Sequence, residues 1–162
     1  MSVSLTSDGL VMPASRSTSS NANTMDDYEE GVYQYTIVGS TSGSMTVRTN
    51  YTYFAYTLVG QLCFVGGKGE TQGTHTATGT LHWSLPVTAK NLSDTSNSTS
   101  GAIMLYRTGV ANIYNPVFSV AENNNYGYVA YNAISNNDIG SVQGDDVNST
   151  IEYSIGVCFA QA

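Results

Sequence analysis

The chain has 162 residues, a formal net charge of −7 and only 10% charged residues, against about 25% in ordinary globular domains. Twelve acidic side chains face five basic ones, so the chain lacks the Lys and Arg that neutralise phosphates, and nucleic acid is excluded as a partner. No apolar run approaches the ~20 residues of a membrane span.

Twelve tyrosines, one tryptophan and many hydroxyl residues favour strands over helices. Residues 1–24 read as an N-terminal anchoring arm. Val3, Leu5, Leu10, Val11 and Met12 can form a short hairpin around the turn signal Ser7-Asp8-Gly9, and Pro13 stops it. From Ala14 to Thr24 the composition is Ser, Thr and Asn with a single cation, Arg16; such a segment orders itself only against a partner. Met1 is followed by polar residues rather than a charged and then apolar leader, so synthesis in a cytoplasm is expected.

Residues 25–162 read as the folded domain. Its entrance is Met25-Asp26-Asp27-Tyr28-Glu29-Glu30-Gly31, where four of the chain's twelve carboxylates fall within five residues. Carboxylates this close repel one another and must meet water, cations or hydrogen-bond donors. Gly31 is expected to turn the chain sharply into the first strand. Tyr28 is expected to pack its ring down on the base of the domain or on a neighbouring subunit.

Strands follow in sequence. Val32–Val38 is one. Ser44–Thr49 is a second, with Met45 and Val47 on one face. Tyr51–Thr57 puts Tyr51, Tyr53, Ala55 and Thr57 on one face. Gln61–Val65 is a nearly continuous apolar run that suits a core strand, and Gly66-Gly67-Lys68-Gly69 is expected to break it. Thr78–Leu85 turns Leu81, Trp83 and Leu85 inward and His82 away from them. Ala102–Tyr106 is short, and Ile113–Val120 contains Pro116, which marks an edge or a bulge. Asn123-Asn124-Asn125 is a turn that tolerates the left-handed region. Tyr126–Tyr131 is a strand, and Asn136–Gly144 is a loop. Thr150–Phe159 closes the domain with Ile151, Tyr153, Ile155, Val157 and Phe159 on one face. Short strands separated by turn clusters predict an all-β protein, an antiparallel β-sandwich of jelly-roll-like form.

Little here reads as chemistry. His75 and His82 lack the clustered ligands of a zinc site. Asp138, Asp145 and Asp146 lack the spacing of a calcium loop. No catalytic, metal or cofactor residue is assigned. Cys63 and Cys158, each before a Phe, read as two buried thiols, with a disulfide between them the alternative that a reducing cytoplasm disfavours. The tyrosines exceed what a core needs, and Tyr114, Tyr126 and Tyr128 stand out as ligand or interface aromatics.

The entry motif Met25–Gly31, followed by an aromatic strand ending at Gly39, resembles β-domains on the surface of tailed-phage virions, those of tail fibres, head fibres and decoration proteins. Weaker echoes lie in Gly60–Gly66 and Gly79–Pro86. The resemblance implies a jelly-roll-like fold and a homotrimer. It also implies a non-enzymatic structural role on the outer virion surface, decorating or cementing the capsid. Asp26 to Gly31 would then be an arm-to-domain junction and subunit contact. Val3, Leu5, Leu10, Val11, Met12 and Arg16 would anchor the arm to the major capsid protein or another virion protein. The alternative within the same resemblance is a receptor-binding fibre tip that contacts a host-surface glycan. A surface-polysaccharide hydrolase is the remote third.

Overall fold

A computed structural model describes residues 4–7, 9–11, 28–94, 96–110, 112–132, 139–147 and 150–162. Its strands are β1 (Ser4–Thr6), β2 (Gly9–Val11), β3 (Tyr28–Gln34), β4 (Ile37–Gly39), β5 (Ser44–Met45), β6 (Tyr53–Val59), β7 (Leu62–Glu70), β8 (Leu81–Ser84), β9 (Thr99–Arg107), β10 (Tyr114–Val120), β11 (Tyr126–Asn132), β12 (Ile139–Ser141) and β13 (Glu152–Ala160). Among the described residues the only helical turns are the short pieces Thr49–Tyr51 and Gly144–Asp146, and no helix is long and apolar enough to cross a membrane.

β1 and β2 form the hairpin that the arm's sequence suggests, with Leu5 opposite Leu10. The remaining strands make one antiparallel sheet in the order β3-β6-β7-β13-β9-β10-β11-β8-β4-β5, with β12 beside β11. This sheet curls on itself into a sandwich. The front layer is β3-β6-β7-β13-β9, and the back layer runs from β10 to β5.

Two features bend it. The chain leaves the free edge β3 and crosses directly into β4 of the back layer through Tyr35 and Thr36. The Tyr35 N–H donates to the Thr52 carbonyl at 3.2 Å, and the Thr36 N–H to Ser84 Oγ at 2.9 Å. At the other corner β9 changes partners. Its residues Thr99–Ala102 pair with β10, and Ala102–Leu105 with Arg107 pair with β13. Gly101 sits at that exchange. A Cβ there would lie 2.3 Å from the Gly156 carbonyl oxygen and 2.7 Å from Val157 Cα, so glycine alone lets the two backbones come this close.

The core is aromatic and fills the space between the layers. Trp83 of β8 meets Tyr153 of β13 edge-on at 5.6 Å and Phe118 of β10 at 6.1 Å. Tyr35 stacks on Phe54 at 3.8 Å, and the Tyr153 hydroxyl donates to the Tyr35 hydroxyl at 2.8 Å. All five rings are essentially buried. A buried aromatic contributes roughly 1.5–3 kcal/mol over leaving it in water.

The alternations over Leu81–Leu85 and Ile151–Phe159 point inward as read. Asn123 takes φ 60° in its turn, and β10 shifts register between Tyr114 and Val117, around Pro116. Four expectations are corrected. The glycines after Val65 do not break the strand: β7 runs on to Glu70. Gly67 lies under the Phe54 ring and Gly69 under the Tyr153 ring, where a Cβ would come within 2.3 Å of each, so these glycines seat the core aromatics. Gly31 makes no turn; it lies inside β3 and is absent from the positive-φ residues. The stretch read as the loop Asn136–Gly144 contains β12. Finally, Cys63 is buried but Cys158 is exposed. Cys63 pairs with Phe159 and Cys158 with Phe64, so the two thiols point to opposite faces of the sheet and cannot join.

Candidate functional site

The outer face of the front layer is where the sequence pattern and the fold part company. In β3, β6, β7, β13 and β9 the residues that point away from the core are themselves mostly apolar. The register lays them out in rows across the strands. Tyr28, Val59, Leu62 and Ala160 form the first row, and Glu30, Thr57, Phe64 and Cys158 the second. Val32, Ala55, Gly66, Gly156 and Ala102 form the third. Lys68, Ser154 and Met104 follow in the fourth, with Tyr53 at its β6 end. Val32 is 66% exposed, Tyr53 57%, Leu62 54%, Phe64 53% and Met104 57%.

The third row is a trough. Its middle is Ala-Gly-Gly-Ala, and a Cβ added at Gly156 would touch nothing within 4 Å. The Phe64 ring leans over it at Gly66, 3.4 Å from where a Cβ would stand there, so the trough is open at Gly156 and partly covered at Gly66. Side chains two apart on a strand are separated by about 6.6 Å, so the trough runs roughly 13 Å between the Phe64 ridge and the Met104 ridge.

The charges on this face are partnered. Lys68 Nζ sits 2.7 Å from Glu152 Oε1 and over the rings of Tyr106 and Tyr51, at 5.1 and 5.9 Å. The Glu152 bond holds the Lys68 ammonium above its ordinary pKa, and Lys68 holds the Glu152 carboxyl below its own.

The acidic entry motif borders the same face. Tyr28, Glu29, Glu30 and Gly31 begin the edge strand β3. The Tyr28 hydroxyl donates to Glu30 Oε2 at 2.7 Å, and the Tyr56 hydroxyl to Glu29 Oε1. Gly31 permits the second bond, because the Tyr56 ring lies across it, 3.2 Å from where its Cβ would be. Each carboxylate raises the pKa of the tyrosine that bonds it. Tyr28 does not pack down on the base of the domain. It stands 43% exposed, because strand geometry turns it to the outer face, opposite Val59. Asp26 and Asp27 lie outside the described residues. So do Val3, Met12 and Arg16; Leu5, Leu10 and Val11 are placed only by the pairing of β1 with β2.

The three singled-out tyrosines do not form one site. Tyr126 and Tyr128 share the outer face of the back layer with His82, which stacks on Tyr126 at 3.8 Å. Burial lowers the His82 pKa. Tyr114 lies at the far end of β10, where β9 and β10 part. A cleft of about 500 Å³ opens there, lined by Tyr106, Arg107, Tyr114 and Pro116 among others. The carboxylate read as loop-bound at position 145 is structural: Asp145 Oδ2 accepts the Gly79 N–H at 2.9 Å, holding Gly79 at φ 78°. Asp138 lies outside the described residues, and among those described no three His, Cys, Asp or Glu side chains gather as a metal would need.

Sequence reasoning missed the outer face because it treated apolar residues as inward. The signal was present. Gln61–Val65 is apolar on both parities, and a half-exposed antiparallel strand alternates. Compared with family models, curated proteins and solved structures, the chain matches none of them.

Proposed function

We propose that this protein is an assembly module, a structural protein of a phage-like virion surface that decorates or cements the capsid by binding other subunits. One observation carries the assembly part: the apolar outer face of the front layer. Tyr28, Val32, Tyr53, Leu62, Phe64 and Met104 all stand exposed on it, and apolar side chains gathered on one face and rimmed by polar ones mark an interaction surface. The virion part rests on the resemblance of Met25–Gly39, which implies three copies and an arm that anchors to the capsid.

The test is incorporation into particles. Deleting residues 1–24 is expected to leave the β-sandwich folded, with an unchanged thermal midpoint, and to abolish co-sedimentation with particles. Full incorporation of the shortened chain would remove the anchoring role, and loss of folding would make the arm part of the core. The receptor-binding alternative draws on the cleft beside Tyr106 and Tyr114, which offers aromatic faces, a guanidinium and polar groups suited to a sugar. Binding of the isolated protein to host cells, lost in Tyr114→Ala, would favour it.

A further inference from the structure

We infer that the cleft between β9 and β10 binds a carboxylated sugar, with Arg107 gripping the carboxylate and Tyr114 taking the face of the ring. This deepens the receptor-binding reading of that cleft and rests on it. The cleft opens because two paired strands part. Ala102 and Val117 are the last residues that β9 and β10 share. Beyond them β9 stays with β13 as far as Arg107, and β10 stays with β11 as far as Tyr114.

Each wall carries one residue more than the strand it pairs with. On β9, Leu105 and Arg107 lie opposite the neighbours Tyr153 and Glu152, so Tyr106 is the extra residue. On β10, Tyr114 and Val117 lie opposite Asn132 and Ala130, and Asn115 takes φ 47° before Pro116. An extra residue of this kind re-aims the side chains around it. In strict alternation Arg107 would share the inward side of Leu105. With Tyr106 inserted it stands on the outer side with Glu152, its side chain 70% exposed.

Charge selects the ligand. Three of the chain's five basic residues, Arg48, Lys68 and Arg107, gather at this end of the sheet against two carboxylates. Arg48 holds Glu70 at 3.2 Å, and Lys68 holds Glu152 at 2.7 Å. Arg107 reaches only the second oxygen of Glu152, from Nε at 3.7 Å, beyond hydrogen-bond length. One positive charge is left over, and it belongs to the planar group that can take a carboxylate through two parallel N–H bonds. A phosphate monoester carries close to two negative charges at pH 7 and would set the second against Glu152. A carboxylate balances the surplus.

The rest of the cleft fits a sugar ring. Its volume of about 500 Å³ lies within the roughly 300–1,000 Å³ of small-molecule sites. Tyr114, 47% exposed, offers a flat apolar face with a polar tip. Asn112, at φ 66°, lines the same cleft, and its amide can bond hydroxyls.

The experiment is a ligand-observed NMR titration of the full chain, carried to about 20 mM to reach millimolar affinities. The probes are methyl glucuronide and N-acetylneuraminic acid, each with its methyl ester, and glucose 6-phosphate. At least one acid should bind, at least tenfold more tightly than its own ester and more tightly than the phosphate. Arg107→Gln should erase that preference, and Tyr114→Ala should abolish binding. Lys90→Gln removes the same charge at the opposite end of β13, where the Lys90 N–H meets the Ala160 carbonyl, and should change nothing. The thermal midpoint should hold in all three variants. Equal binding of acid and ester overturns the inference. So does a preference that survives Arg107→Gln, tighter binding of the phosphate, or no binding of either acid. Host-cell binding tests the underlying reading separately. Cells bound through Tyr114 with neither acid bound would sink the carboxylated sugar and leave the receptor role standing. An acid bound through Arg107 with no cell bound would do the reverse.

Discussion

Gly101→Ala is expected to destabilise the domain by about 3–5 kcal/mol, near the upper end of single-substitution effects. For a chain of this length that is a drop of roughly 10 °C or more in the thermal midpoint. The added methyl carbon cannot be absorbed by a rotamer change, because it meets the Gly156 carbonyl at 2.3 Å and Val157 Cα at 2.7 Å. Both are backbone, in the strand between β7 and β9. Relief requires β9 to move off β13, and β9 is the strand that joins the front layer to the back one. The effect should therefore be global, seen equally in far-ultraviolet circular dichroism and in Trp83 fluorescence. Gly156→Ala is the control: it lies on the neighbouring strand, in open space, and should cost under about 1 kcal/mol, the usual penalty of a tolerated surface change. A Gly101→Ala protein as stable as the parent would show that the corner is not closed as described.

The second large effect is alkaline unfolding. Burial pushes the Tyr35 hydroxyl up to about 12 from an ordinary 10.0, its bond from Tyr153 working the other way. Burial likewise pushes the Cys63 thiol up to about 12 from 9.0. Tyr33 and Tyr153 are raised as well, both chiefly by burial. All four groups are neutral in the fold and ionise at lower pH once unfolded. The folded chain thus binds protons that the unfolded chain has released, and stability falls with rising pH. Its full value is kept below about pH 9, where the unfolded thiol and phenols are still protonated. It is lost progressively as the pH climbs through the folded values near 12. The phenolate absorbance of the core tyrosines should appear in one cooperative step when the core opens. Tyr153→Phe should weaken the fold by about 1–3 kcal/mol, because it leaves the buried Tyr35 hydroxyl without that partner. A gradual titration of all twelve tyrosines with the fold intact beyond pH 12 would count against a core built this way.

Both effects come from contacts that alternation does not encode. Alternation did locate the inner faces of β8 and β13, because their outward positions, such as His82, Ser84 and Ser154, are polar or small. It failed in β7, where Leu62 and Phe64 are as apolar as Cys63 and Val65. In such a strand only pairing partners decide which face is buried. Glycine was the other blind spot. Gly31, Gly67, Gly69 and Gly127 look like punctuation, yet each lies under an aromatic ring, those of Tyr56, Phe54, Tyr153 and Phe118 respectively. The two residues of such a pair come from different strands, between 9 and 84 positions apart, so no local window shows them together. The surplus of tyrosine and the surplus of glycine are in part a single feature. The candidate site was legible only at its border, in Tyr28, Glu29 and Glu30, and there the face was misplaced because the stretch was taken for a turn.

The position of β13 governs when this protein can fold at all. β13 follows every other described strand in sequence, and it lies in the middle of the front layer between β7 and β9. It also supplies Tyr153, the ring on which Trp83, Tyr35 and Phe54 converge. A ribosome delivers it after every other strand described. Until then β7 and β9 hold unpaired backbone edges, the kind of edge that invites strands from other chains. The front layer closes only once Glu152–Ala160 has been made, and a chain cut before Glu152 leaves β7 and β9 without the strand that pairs them both.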